Sequence, residues 1–205
     1  MSFPWEENFL KQKRIKFLAG VDEAGRGPLA GPLVVAAVIL KPEYRSLYFV
    51  HKIADSKCLT FKQRCEAFEE IIQRAWIGIG IVEAEVIDST DISFATQFAA
   101  EMALTYLKKK PEYILTGAGI NLSSAYPYLS LIHGERKSLS IACASIVAKV
   151  IRDRAMEVYD CFLPQYAFRE HKGYGTRYHL SLLKAYGPSP IHRKSFSPLR
   201  DWCKG

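Results

Sequence analysis

At 205 residues with 49% hydrophobic side chains, the chain can form one large packed domain, which excludes an intrinsically disordered segment. Lys and Arg number 28 against 21 for Asp and Glu, and this formal net charge of +7 fits a polyanionic partner such as nucleic acid as well as it fits a basic protein with none. The 5 cysteines (Cys58, Cys65, Cys143, Cys161 and Cys203) make no C-x-x-C pair and no stretch approaches the ~20 apolar residues of a membrane span, which argues against a disulfide framework, a zinc site and a membrane anchor.

Met1 to Lys16 alternates charged and apolar residues without an apolar run of signal length, so it reads as an N-terminal extension, and the thiols are expected to stay reduced in the cytoplasm. Phe17 to Val21 predicts a buried strand that ends at Asp22-Glu23. A Gly/Pro-rich turn over residues 25–32 leads to a second, Val-rich strand over Leu33 to Leu40, expected to lie antiparallel beside the first. Thr60 has the character of an N-cap, and Phe61, Cys65, Phe68 and Ile72 then fall on one helical face. Trp76 to Val82 predicts a strand. Ser93 to Leu107 predicts a helix with Phe98, Ala99 and Met102 facing inward, stopped by Lys108-Lys109-Lys110-Pro111. Tyr113 to Leu115 is a short strand followed by a flexible Thr116-Gly117-Ala118-Gly119, and Leu129 to Ile132 is another short strand. Ile141 to Tyr159 has a strong helical pattern, and a short helix is expected over Arg177 to Tyr186. A strand meander that passes into alternating strands and helices indicates an α/β fold with a mixed sheet covered by helices.

Asp22 and Glu23 are two carboxylates at the end of an apolar strand. Successive strand residues point to opposite faces, so both reach one cation only if the chain bends, and Gly25 and Gly27 can supply the bend. Oxygen ligands of this kind suit Mg²⁺ or Mn²⁺, while a solvated turn after a strand is the simpler reading of the same residues taken alone. In Gly25-Arg26-Gly27 the glycines allow close backbone approach and Arg26 offers a planar fork for phosphate. The next glycine, Gly31, comes one residue too late for a dinucleotide fingerprint, and no Walker loop follows. Ser56 and Lys57, just before the Thr60 cap, could hold phosphate or belong to a plain polar loop. His171-Lys172-Gly173-Tyr174-Gly175-Thr176 offers an aromatic, Tyr174, for stacking on a sugar or base, or for capping the core. His192-Arg193-Lys194-Ser195, read by itself, is a solvated basic tail.

Taken in order, these segments resemble a known family. Val21-Asp22-Glu23-Ala24-Gly25-Arg26-Gly27-Pro28-Leu29-Ala30-Gly31-Pro32 is similar to the signature of ribonuclease HII, the type 2 ribonucleases H. Ala54-Asp55-Ser56-Lys57 with Leu59-Thr60, the run from Ile141 to Asp153, residues His171 to Thr176, and His192 to Phe196 resemble its later segments, so that the likeness spans Phe17 to Leu199. The resemblance implies a ribonuclease H-like α/β fold: a mixed five-stranded sheet flanked by helices, with a C-terminal helical appendage. The boundaries it suggests are 1–16 for the extension, 17–160 for the catalytic core and 161–205 for a basic substrate-binding segment. It implies an endonuclease that depends on Mg²⁺ or Mn²⁺ and works by a two-metal mechanism in DNA replication and repair. Its partners would be RNA–DNA hybrids and DNA duplexes containing ribonucleotides, with no membrane, and the enzyme would be a cytoplasmic monomer. Gly25, Arg26 and Gly27, together with Tyr174, would read the junction where a ribonucleotide meets a deoxynucleotide, helped by Ser56 and Lys57.

The family's four metal carboxylates are matched only in part. Asp22 and Glu23 supply two, and Glu135 stands where the fourth, an aspartate, is expected. The third would end the strand at Gly117, which has no side chain, and Glu112 lies about five residues away, roughly 16 Å along a strand. The expectation is therefore an enzyme with impaired cleavage or, as the alternative, a catalytically silent binding module of the same fold. The sister type, ribonuclease HIII, is disfavoured by the Gly-Arg-Gly turn and the short stretch before Phe17, and a dinucleotide enzyme by the missing fingerprint.

Overall fold

The computed structural model describes residues 3–42, 53, 59–123 and 126–202. Strand β1 (Leu18–Ala24) pairs antiparallel with β2 (Leu33–Leu40), as the short turn between them predicts, and β2 pairs antiparallel with β3 (Ala75–Val82). Strand β4 (Tyr113–Gly117) runs parallel to β1, and β5 (Tyr128–Leu131) parallel to β4. The mixed five-stranded sheet has the order β3-β2-β1-β4-β5, so β1, which carries Asp22 and Glu23, is the central strand. All of β2 is buried, and its side chains divide by alternation: Val34, Ala36, Val38 and Leu40 join one apolar cluster, and Leu33, Val35, Ala37 and Ile39 the other. A strand covered on both faces needs no polar alternation, which explains its unbroken apolar run.

The covering helices include α1 (Pro4–Lys13), α2 (Phe61–Arg74), α3 (Ala84–Ser89), α4 (Ile92–Thr105), α5 (Gly134–Lys137) and α6 (Leu139–Phe162). Helices α2 and α6 pack on one face of the sheet and α4 on the other. The Thr60 cap is present as a full capping box with Gln63, but the buried face of α2 centres on Ala67 and Ile71, while Phe61 and Ile72 are exposed. Helix α4 also departs from its predicted orientation. Phe98 is 47% exposed and stacks on Phe94, Met102 is half-buried, and the inward stripe is Ala95, Ala99, Ala100 and Ala103. The cause is backbone proximity: a Cβ on Gly78 or Gly80 of β3 would lie 1.9 Å from the carbonyl oxygen of Ala103 or Ala99. Where helix and strand meet this closely, small residues win over large ones.

Thr116 and Gly117, expected in a flexible stretch, belong to β4, where Thr116 pairs with Val21 of β1 and Gly117 with Leu131 of β5. Helix α6 begins at Leu139, earlier than predicted, because the Ser138 hydroxyl accepts a hydrogen bond from Ile141 N at 3.1 Å and caps it there. The N-terminal extension is tied to the same point. Glu6 of α1 is buried and accepts hydrogen bonds from Ser138 Oγ, Ser140 N and Ser140 Oγ, while Phe9 meets the Tyr113 ring edge-on.

Beyond α6, helices α7 (Phe168–His171), α8 (Arg177–Tyr186) and α9 (Leu199–Trp202) gather around Tyr166, Phe168, Leu183 and Leu199, together with Leu29, Ala30 and Met156. This is the expected helical C-terminal region, and α8 has its predicted bounds. The tail reading of His192-Arg193 is corrected, since the two residues are 1% and 0% exposed. Arg193 is tolerated in the interior because backbone carbonyls accept three hydrogen bonds from its guanidinium: it donates to Gly31 O at 3.1 and 2.8 Å and to Arg26 O at 3.2 Å. Among the described residues no helix is long and apolar enough to cross a membrane.

Candidate active site

The parallel pairing of β1 with β4 reaches Val21 opposite Thr116, which brings the next residues, Asp22 and Gly117, side by side. A Cβ placed on Gly117 would stand 2.4 Å from Asp22 Oδ1, 3.4 Å from Asp22 Cγ and 3.9 Å from Glu23 Oε2. The side chain that Gly117 lacks would thus point into the two carboxylates, and Asp22 has leaned into the space it would fill. Glu112, at the opposite end of β4, accepts hydrogen bonds from Lys16 N at 2.6 Å and Phe17 N at 3.2 Å, which hold its pKa below the ordinary value. It serves the chain's entry into β1 and has no part in the carboxylate group.

Asp22 and Glu23 are half-buried residues of the central strand. Burial, followed by the charge of Glu23, raises the Asp22 pKa well above its usual range, against an opposing hydrogen bond from Ser145. Glu23 is also raised, chiefly by burial, with the Arg26 charge acting the other way. The charge of Glu135, in the first turn of α5, raises both, so it belongs to the same electrostatic group. Glu23 Oε2 is buried and has no hydrogen-bond partner among the described residues. Crowded carboxylates with an unsatisfied buried oxygen are the donor set of a hard divalent cation, which supplies the missing positive charge. Asp22 and Glu23 therefore fit one such ion. Among the described residues, no three of His, Cys, Asp and Glu stand close enough together to hold a metal by themselves.

A groove of 320 Å³ opens beside Glu23, bordered by Gly25, Arg64, Ser145, Lys149 and Tyr174. Ser145 and Lys149 come from α6, four residues apart and hence on one helix face. Lys149 Nζ lies 2.7 Å from Asp153 Oδ1, and Arg64 Nη1 lies 3.9 Å from Asp153 Oδ2. A cavity of 500 Å³ between Lys41, Phe68, Trp76 and Lys108 is larger, but no acid lines it, so the chemistry favours the smaller groove.

The Gly25-Arg26-Gly27 turn forms one rim. Gly25 has φ +103°, and a Cβ there would lie 2.3 Å from Arg152 Nε, so only glycine fits. Arg26 Nη1 donates to Gly119 O at 3.2 Å. Gly27 is exposed, and a Cβ on it would meet nothing within 4 Å, so the free protein itself does not require glycine there. Two buried arginines hold the turn from below. Arg193 bonds Arg26 O and Gly31 O, while Arg152 donates to Pro32 O, Ala30 O and Lys172 O, each at 3.0 Å. Tyr174, 43% exposed, closes the other rim, its ring 5.6 Å from Lys149 Nζ.

The structure thus lines one groove with Glu23, Gly25 and Tyr174, sets Gly117 against Asp22, brings the charges of Arg26 and Glu135 to bear on Glu23, and leaves Gly27 on the exposed side of the turn. Ser56 and Lys57 lie outside the described residues. Sequence reasoning gave no site role to Ser145, Lys149, Arg64 or Arg152, and took Arg193 for part of a solvated tail. Helical spacing could have found three of them, because 145, 149 and 152 follow one face of α6 below the Asp22-Glu23 turn.

Known proteins share much of this sequence and fold. The family described as Ribonuclease HII matches residues 19–198. The ribonuclease HII of Acholeplasma laidlawii is 50% identical over 199 residues, covering 97% of this chain and 96% of the relative. The crystal structure of ribonuclease H2 from Pyrococcus horikoshii superposes with a TM-score of 0.77 at 26% identity, covering 90% of this chain and 96% of that one. The fold also matches Bst-RNase HIII in complex with Mn²⁺, with a TM-score of 0.69 at 15% identity over 92% of this chain and 69% of the other.

Proposed function

This chain belongs to the ribonuclease HII family, ribonucleases H that act on the RNA of RNA–DNA hybrids, and from that premise we propose a hybrid-duplex endonuclease with a weakened metal site. Its substrates are RNA–DNA hybrids and DNA duplexes with embedded ribonucleotides. Asp22 and Glu23, with Glu135 beside them, hold divalent cation, Mg²⁺ or Mn²⁺. In the family's two-metal hydrolysis, bound cations supply polarisation of the scissile phosphate and acidification of the attacking water.

The chain's own side chains do the rest. Lys149 and Arg64 draw backbone phosphates into the groove by charge. Arg26, aimed by Gly119 O, faces Glu23 and the substrate at once. The open surface at Gly27 lets a ribose approach the backbone closely enough for its 2′-hydroxyl to be read, and the Tyr174 ring stacks against the following sugar. Ser145 steadies the Asp22 carboxylate.

The observation that carries the reading is the direction a side chain at position 117 would take, straight at Asp22 and Glu23. A carboxylate there would complete the ligand set, and without it one ion site is weakened, so cleavage is reduced while binding persists. The same observation keeps a second reading open, a binding module of this fold that does not cut. The experiment is cleavage of a duplex carrying one ribonucleotide, in Mg²⁺ and in Mn²⁺, beside binding to the same duplex. Slow, metal-dependent cutting with intact binding fits the weakened enzyme, binding without cutting fits the module, and fast turnover in both metals refutes the impairment. We further propose that the chain acts as a cytoplasmic monomer in replication and repair.

A further inference from the structure

Three buried imidazoles, His171, His179 and His192, lie behind the backbone of Tyr174. His179 and His192 are 0% and 1% exposed, and His171 stacks on His179 with ring centroids 4.1 Å apart. Their partners determine where every proton sits. Tyr174 O, 2.9 Å from His179 Nδ1, can only accept, so His179 carries its hydrogen on Nδ1. The bare Nε2 of a neutral His179 faces His192 Nε2 at 3.0 Å, so His192 donates from Nε2. Its own Nδ1 is then bare and accepts from Ser189 N at 2.9 Å. His171 is fixed in the same way, with Nε2 donating to Tyr166 O at 2.8 Å and Nδ1 accepting from Gly173 N at 3.2 Å. One set of tautomers satisfies all these bonds, and an extra proton on His179 would set two N–H groups against each other. Burial keeps both rings neutral, lowering His179 to about 4 and His192 to about 3.

This relay ends on the peptide groups of Gly173 and Tyr174. Leu29 N donates to Gly173 O at 2.8 Å, which joins them to the opposite rim, and Arg193, next in sequence to His192, bonds Arg26 O. The dipeptide His192-Arg193 thus grips one rim through His179 and the other directly. We propose that His192, acting through His179, is a positioning residue that fixes Tyr174 relative to the Arg26-Gly27 turn and so sets selectivity for the ribonucleotide junction. The selectivity part rests on the reading of Tyr174 given above, whereas the ordered relay does not.

The test uses the full chain and two duplexes, one all DNA and one with a single ribonucleotide, with the ratio of their dissociation constants as readout. His192→Asn retains an acceptor for Ser189 but loses the Nε2 donor, and it should lower the ratio by about tenfold, ~1.4 kcal/mol, while binding to all-DNA duplex stays within about twofold. His192→Gln, which can present a donor near the Nε2 position, should keep the ratio within about twofold of the unchanged chain. Nitrogen-15 NMR of the unchanged chain should show His179 as the Nδ1–H tautomer and His192 as the Nε2–H tautomer. The opposite tautomers overturn the relay even if His192→Asn fails to fold. If Tyr174→Ala abolishes the ratio and His192→Asn leaves it intact, the positioning role is overturned alone. If Tyr174→Ala leaves the ratio intact, the reading of the rim is overturned, and the tautomers still judge the relay.

Discussion

Replacing Gly117 by Asp puts a third carboxylate where the β1–β4 register points. The new Cβ would fall 2.4 Å from Asp22 Oδ1, so Asp22 must rotate out of the space it now occupies. Without divalent cation, two like charges ~4 Å apart at an effective dielectric of about 20 repel by about 4 kcal/mol. That is an upper bound, because the Asp22 side chain can swing away and the group can take up a proton. At roughly 2–4 °C of melting temperature per kcal/mol for a chain of this size, the ion-free variant should melt up to about 8–16 °C lower. A bound cation reverses the sign, since each carboxylate then faces positive charge. Mn²⁺ or Mg²⁺ should restore stability, and cleavage at a single ribonucleotide should rise by at least about tenfold to a hundredfold, the scale on which even outer-shell ligand partners act. Calorimetry with and without metal, beside a gel cleavage assay, measures both effects. An unchanged melting temperature without metal and unchanged turnover with it would refute the placement of position 117.

Arg26→Ala should lower the preference for the ribonucleotide junction, because Arg26 sits at the rim beside Glu23, whereas Lys149→Ala should weaken all duplexes alike and reduce the slope of log affinity against log salt by about 1. Equal loss of preference in both variants, measured by fluorescence anisotropy across a salt series, would contradict these roles. Glu6→Ala leaves Ser138 and Ser140 without their acceptor and should cost about 1–3 kcal/mol in urea unfolding, with faster amide exchange in α1; exchange confined to its usual rate would show that the extension is not held by this contact. His192, held at about 3 against 6.5 when unfolded, binds its proton in the unfolded chain first as pH falls. The folded state should therefore lose about 1.4 kcal/mol per pH unit below ~6.5 through this residue. The stability advantage of the unchanged chain over His192→Gln should shrink accordingly between pH 6.5 and 4, and a constant difference would contradict the buried neutral ring.

Strands β1 and β2 were legible because burial on both faces leaves unbroken apolar runs such as Leu33 to Leu40. Gly117 was found by aligning a short strand with a family pattern, although its local sequence, Thr116 to Gly119, looks flexible; the pairing with β1 and β5 that makes it a strand is set by residues far away in the chain. Phe98 was misread because size suggested burial, whereas contact with Gly78 and Gly80 admits only alanines at the interface. His192 and Arg193 look like a solvated tail because nothing local announces the carbonyls of Arg26 and Gly31, more than 160 residues earlier, that satisfy the guanidinium. Lys149 and Ser145 could have been drawn from helical spacing alone.

Anomalous diffraction from crystals soaked in Mn²⁺ tests the central claim most directly, in the unchanged chain and in Gly117→Asp. The account predicts one ion against Asp22 and Glu23 in the unchanged chain, and a second once the aspartate is present. No ion at Asp22 in either crystal, or a fully occupied pair already in the unchanged chain, would contradict it.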